Sequence, residues 1–282
     1  MKNQTNKDGL SPSSLALFQS CARRYFHYKI AKTPHDSDYV DDVESLKIGS
    51  AFHKVCENNL HNLNKLKYSE VADVCVEHEL DHNTYAPLIY AMCLKYRETH
   101  NDSKLKVEAV EIEIHNDGFL GYVDAVMSDK NGYWIADLKT SASYRSDIVP
   151  TLNMHPQLNL YAAFAPYLAE KLKLKGKFLG CRYRLTTKSK IKRKDKEDTK
   201  AFVQRLMLSI VSHDIVLPIE TMKPSAILDI HNNVSRQILL NGGYEEAYCR
   251  NYNSCYNYFR PCQWFSKCHG VNYSERLPSN EQ

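Results

Sequence analysis

Between residues 105 and 141 the chain alternates in polarity and reverses direction twice. The segment 107–116 reads VEAVEIEIHN, apolar and charged residues by turns, as a half-buried strand does. Asn116-Asp117-Gly118 is a turn signal, FLGYVDAVM follows as a second strand, Asp129-Lys130-Asn131-Gly132 is a second turn, and YWIADLKTS is a third strand. Three strands joined by tight turns predict an antiparallel meander, and any fold for this chain has to be built around it.

The flanking sequence has helical periodicity. Ser11-Pro12-Ser13-Ser14 offers an N-cap with proline just inside, and Leu15, Phe18, Ala22, Tyr25 and Phe26 follow at helical spacing. A second helix is expected over 46–66, where Phe52, Val55, Cys56, Leu60 and Leu63 make one apolar face, and more helix over 69–99, interrupted near Pro87. After the meander come a helix over 155–172, a strand over 176–187 and a helix over 199–213. This order predicts a mixed α/β layer fold with a helical N-terminal region. The expected divisions of one integrated domain are 1–104, 105–215 and 216–282. With 43% apolar and 25% charged residues the composition is globular, and no apolar run approaches the roughly 18 residues that span a bilayer. The opening MKNQTNKDGLSPSS lacks a signal-peptide core, and nine cysteines are an odd, unevenly spaced set, so reduced or metal-bound thiols are expected rather than a disulfide framework.

The chemistry concentrates in the meander. Asp124 sits in GYVDAV, and Asp137 and Lys139 sit in WIADLKTS, all flanked by apolar residues although aspartate is a poor strand former. Positions i and i+2 of a strand share a face, and a short hairpin can bring Asp124 beside Asp137. Two close carboxylates repel unless a cation joins them, and oxygen donors suit Mg²⁺ or Mn²⁺. A neighbouring lysine can orient or deprotonate water and stabilise phosphoryl charge. Taken one at a time, these residues could equally be surface groups on an ordinary hairpin.

Gly121-Tyr122-Val123-Asp124, twelve residues, then Asp137-Leu138-Lys139-Thr140 resembles the PD-(D/E)XK core of RecB-like exonucleases. Gly49-Ser50-Ala51-Phe52-His53 resembles the G-x-x-x-H motif on the helix before the sheet, Gln157 and Tyr161 the Q-x-x-x-Y motif after it, and SPSSLALFQSCARRYFHYK the opening of these nucleases. The resemblance implies a restriction-endonuclease-like core, a mixed sheet flanked by helices, and metal-dependent exonuclease activity on DNA in repair, recombination or phage DNA processing. It implies that Asp124, Asp137, the Leu138 carbonyl and His53 hold the metal, that Lys139 positions water, and that Gln157 and Tyr161 orient Lys139 or the DNA backbone. Glu113 on the preceding strand is a candidate additional acid, with an exposed strand face as the alternative. A catalytically silent DNA-binding or scaffold subunit of a repair complex is the alternative function. No G-x-x-x-x-G-K-[ST] occurs, so any helicase, recombinase or single-strand-binding partner would be a separate protein. The implied location is the cytoplasm of a bacterial or phage-infected cell.

Two further clusters stand out. Cys249, Cys255, Cys262 and Cys268 fall within twenty residues, a density that suits zinc or an iron–sulfur cluster. The same resemblance implies a cysteine-rich C-terminal clasp, with Cys21, Cys255, Cys262 and Cys268 holding a 4Fe–4S cluster and Cys249 a rival to Cys255. Cys56, Cys75, Cys93 and Cys181 lie in apolar segments and are expected in the core. Lys188, Lys190, Lys192, Arg193, Lys194 and Lys196 form a basic run that, beside a phosphodiester site, would clamp a DNA backbone without reading sequence; otherwise it is a solvated loop. Arg182 and Arg184 are expected to line the same groove.

Overall fold

The reversals form because the turn residues adopt the required backbone. Asp117 and Gly118 both take positive φ, 47° and 71°, as a primed two-residue turn requires. Asp129 closes the second reversal by accepting the backbone N–H groups of Asn131 and Gly132. The computed structural model describes residues 9–36, 43–100, 105–257 and 260–270. Along the chain run α1 (Pro12–Ser20), α2 (Ala22–Tyr25), α3 (Val43–Asn59), α4 (Tyr68–Glu77), α5 (His82–Thr99), β1 (Lys106–Asn116), β2 (Phe119–Asp129) and β3 (Gly132–Ser141). Then follow α6 (Pro156–Ala163), α7 (Ala165–Leu172), β4 (Lys177–Thr187), α8 (Thr199–Ser209), β5 (Ser212–Pro218), α9 (Pro224–Asn241), the two-residue strands β6 (Tyr256–Asn257) and β7 (Arg260–Pro261), and α10 (Phe265–His269). No described helix is long and apolar enough to cross a membrane.

The chain divides into two compact units. The larger comprises 42–114 and 121–227 and contains the five-stranded sheet, in order β1-β2-β3-β4-β5. β2 and β3 are antiparallel, β3 and β4 parallel, β4 and β5 antiparallel, so the sheet is mixed. The parallel pair needs a crossover, and α6 and α7 supply it. β3 is the middle strand and is buried along most of its length, which explains its nearly continuous apolar run. One core joins α3, α4, α5 and α8 to the sheet through Ala125, Met127, Ala136 and Leu138, with Phe52, Met92, Tyr96, Phe202 and Leu206 filling it. Cys56, Cys75, Cys93 and Cys181 are buried, as their apolar settings predict.

Three helix boundaries differ from the sequence reading. The break expected near Pro87 lies at 78–81, where Glu79 takes φ 54° and Asp81 caps α5 by accepting the Asn83 N–H. Pro87 remains inside the helix, which forgoes one hydrogen bond there. The helix expected to run to His213 ends at Ser209, and SHDIVLP forms β5, paired to β4 along its whole length. The helix over 155–172 divides at Phe164, because Pro166 starts a new helix and lacks the N–H to continue the old one.

The smaller unit combines 1–41, 115–120 and 228–282. Within it α1 is capped by the Ser11 hydroxyl, which accepts the Ser14 N–H, and the predicted Pro12 sits at the helix start. The N- and C-terminal stretches are tied directly: Arg23 donates to the Tyr248 carbonyl at 2.9 Å and to Glu245 at 2.5 Å, and Asn251 and Ser254 both donate to the Ser20 carbonyl at 2.7 Å.

Candidate metal and phosphodiester site

The site lies within the larger unit, where α3 packs against the meander. Gly49 makes the crossing possible: a Cβ there would meet Thr140 Oγ1 at 3.0 Å, so a larger residue would push α3 off β3. One turn later α3 presents His53, whose Nδ1 lies 3.6 Å from Asp124 Oδ1. Donor atoms of His53, Glu111 and Asp124 all lie within 4.8 Å of one another. The carboxylate that joins Asp124 is therefore Glu111; Glu113, the acid considered from sequence, is outside that group, although both glutamates are exposed strand residues. Glu111 has φ 47°, a left-handed conformation rare for a side-chain-bearing residue, and such a kink within a strand can re-aim a side chain. Partial desolvation in the cleft and then the Asp124 and Glu57 charges raise its carboxyl pKa.

Asp124 is fixed from β3 by the Leu138 amide, which donates to Oδ2 at 2.5 Å. Leu138 thus enters the site through its backbone N–H, while its side chain packs in the core. Asp137 is only 1% exposed; its Oδ1 accepts Lys139 Nζ at 2.9 Å, and its Oδ2 has no hydrogen-bond partner. Burial drives its pKa up, with Asp124 adding to the rise and Lys139 opposing it, to about 6. Burial alone would lower the Lys139 ammonium, but Asp137 and Asp124 outweigh it and hold Lys139 above the ordinary lysine value. Lys139 therefore keeps its proton at neutral pH, which favours orienting and charge-stabilising roles over that of a base.

Gln157 and Tyr161 form a relay on one face of α6. Gln157 Nε2 donates to the Tyr161 hydroxyl at 2.9 Å, which donates to the Tyr122 carbonyl at 2.5 Å, two residues before Asp124. The pair thus braces the strand that carries Asp124. The hydroxyl is buried, which raises its pKa and keeps it protonated.

The basic residues separate into two groups. Arg182 donates two bonds to Asp214, and Arg184 is 1% exposed, bonds the Tyr96 hydroxyl at 2.8 Å and lies 3.6 Å from Asp214. The expectation that both line a DNA groove is corrected: their charges are committed to the internal carboxylate Asp214. Burial would raise the Asp214 pKa, but His100 and the two arginines hold it down at about 2. Arg193 is held in its own loop, donating to the Glu197 carbonyl and the Thr199 hydroxyl. Lys188 reaches back to α3, donating to the Ser45 carbonyl at 2.6 Å and its hydroxyl at 2.9 Å. Lys190, Lys192 and Lys194 are exposed.

In the smaller unit, burial raises the thiol pKa values of Cys255, Cys262 and Cys268, and the neighbouring Cys21 adds to the rise in all three. Cys21 Sγ accepts the Asn251 N–H at 3.5 Å, and Cys255 Sγ lies 3.3 Å from His269 Nε2. Cys249 is exposed.

A mixed sheet presenting carboxylates and a charged lysine, with a histidine on the helix packed against it, defines an α/β protein with a candidate site for a hard divalent cation. The chain belongs to the PD-(D/E)XK nuclease superfamily, whose family model matches residues 9–248. The match ends before Cys255 and so does not bear on the cysteine segment. No curated protein matches the chain significantly. Among solved structures, "Crystal structure of SSO0001" is similar at 11% identity over 79% of this chain and 87% of that one, with a TM-score of 0.26, too low to add to the assignment.

Proposed function

We propose that this chain is a divalent-metal-dependent deoxyribonuclease, acting as a RecB-like exonuclease on DNA ends in repair, recombination or phage DNA processing. The observation that carries the reading is the convergence of His53, Glu111 and Asp124, with the buried Asp137, whose Oδ2 has no hydrogen-bond partner, close enough to feel the Asp124 and His53 charges. A buried anionic oxygen without a donor is costly, and a cation is the partner that fits a set of carboxylates and one imidazole. His53, Glu111, Asp124, Asp137 and the Leu138 carbonyl would hold Mg²⁺ or Mn²⁺. Bound there, the ion would supply Lewis-acid stabilisation of phosphoryl and leaving oxygens.

The remaining roles belong to the chain itself. Lys139, protonated and one-third exposed, donates to the non-bridging phosphoryl oxygen or to the attacking water. The Leu138 amide and the Gln157–Tyr161 relay keep Asp124 in place. Cys21, Cys255, Cys262 and Cys268 would hold a 4Fe–4S cluster that tightens the junction of the N- and C-terminal stretches, already joined by hydrogen bonds; four soft thiolates are the donors such a cluster takes.

The test is digestion of end-labelled single- and double-stranded DNA with Mg²⁺, Mn²⁺ or EDTA, by wild type and by Asp124→Asn and Lys139→Ala. Metal-dependent digestion lost in both variants, with their folds intact, is expected. Equal digestion by all three proteins would remove the assignment. Brown protein containing iron and sulfide is expected; colourless protein containing zinc would replace the cluster reading.

A further inference from the structure

The cavity at the metal site continues into a second one. A cavity of about 700 Å³ holds His53, Glu111 and Asp124. Its lining includes Glu57, with Lys54 tied to that carboxylate at 2.8 Å, and Thr140, Ser141, Ala142 and Lys188. A second cavity of about 450 Å³ begins where the first ends, because Ala142 and Lys188 line both. Its remaining wall includes Ser143, Tyr144, Ser189, Lys190 and Ile191, with no carboxylate.

Its volume falls in the range of small-ligand sites, and its wall offers hydroxyls, one aromatic ring and two lysines. The Tyr144 ring is braced from behind by the His213 imidazole of β5, stacked at 3.7 Å between centroids with planes 23° apart. A ring fixed in this way loses little freedom when a flat ligand lies on it. Glu57 is balanced by Lys54, whereas the exposed Lys190 beside Lys188 draws a polyanion toward the second cavity.

From this geometry we infer a nucleoside subsite next to the metal centre: a base of the substrate strand, a nucleotide or so from the scissile phosphate, stacks on Tyr144 while Lys190 meets the adjoining phosphate. The inference rests on the nuclease reading for its substrate class. The contact is a π-face and a charge, so it recognises single-stranded nucleic acid without selecting a sequence.

The test is binding of fluorescein-labelled oligodeoxythymidylate in Ca²⁺, measured by anisotropy for wild type, Tyr144→Ala and Tyr144→Phe, with a second series in which an abasic site is moved along the oligonucleotide. Tyr144→Ala is expected to weaken binding by roughly fivefold to a hundredfold and Tyr144→Phe by less than about threefold. One abasic position is expected to weaken wild-type binding similarly and to cost nothing further in Tyr144→Ala. The abasic series uses wild-type protein, so it decides the matter even where Tyr144→Ala misfolds. A flat abasic profile, or equal binding by folded Tyr144→Ala, overturns the subsite and leaves the nuclease reading standing. Tyr144-dependent binding by a protein that digests no DNA with any metal supports the subsite and overturns the nuclease reading.

Discussion

Replacing Asp137 by asparagine is expected to remove a stability gain of about 1.3 kcal/mol that this group contributes as the pH falls from 7 to 5. The buried carboxyl has its pKa raised from 3.8 to about 6, with burial as the main cause. A group whose folded pKa is raised binds its proton more tightly in the folded chain than in the unfolded one. For a carboxyl this means that stability is gained as pH falls through the folded pKa, and that the cost of the buried charge is carried in full above it. The full swing is about 3 kcal/mol, of which about 1.3 kcal/mol falls between pH 7 and pH 5. Lys139 stays protonated throughout this window, so it adds no slope of its own. Other carboxylates titrate in the same range, and subtracting the variant cancels them. Urea unfolding of wild type and Asp137→Asn in metal-free buffer is the assay. The wild-type-minus-variant free energy is expected to rise by about 1.3 kcal/mol from pH 7 to pH 5. Mg²⁺ at pH 7 is expected to stabilise wild type and not the variant. A difference that is independent of pH, or that falls on acidification, would refute the account of Asp137 as a buried anion that Lys139 compensates only in part.

Gly49→Val places side-chain atoms against Thr140 and is expected to cost about 1–3 kcal/mol and to weaken Mn²⁺ binding by moving His53, measured by denaturation and titration calorimetry. Tyr161→Phe leaves the Tyr122 carbonyl without its donor; a loss of about 1–3 kcal/mol with a lower kcat and little change in KM is expected from steady-state kinetics. Arg184→Met removes one of the charges holding Asp214 and the donor to the Tyr96 hydroxyl, while Arg182 keeps its two bonds to Asp214, and is expected to destabilise by about 1–3 kcal/mol without altering the salt dependence of DNA binding. Lys190→Ala is expected to do the reverse, leaving the unfolding midpoint in place and reducing the slope of log K against log salt by about 1.

Much of the site was legible because its residues are costly where they stand. Aspartates inside apolar strands, a lysine two residues on, and a glycine four residues before a histidine all violate local preference, and each violation marks a functional or packing demand. Glu111 was not legible. VEIE offers two glutamates at strand spacing, and the choice between them depends on the left-handed φ at Glu111 that the alternation does not announce. Arg182 and Arg184 misled for a related reason. Alternating arginines suggest a groove lining, but β5, missed because SHDIVLP shows no clear period, brings Asp214 up beside them. The basic run after β4 also reads as one patch, whereas Lys188 bonds α3 and Arg193 bonds its own loop.

Patterns within a few residues of each other were enough to determine the meander, the helices around it and the membership of Asp124, Asp137 and Lys139 in one hairpin, because pleat and turn geometry act locally. Which charges face a cation and which are spent inside the protein was decided only by the tertiary structure. That outcome depends on which distant strand or helix brings an opposite charge, and a buried ion pair is chosen by proximity in space rather than along the chain.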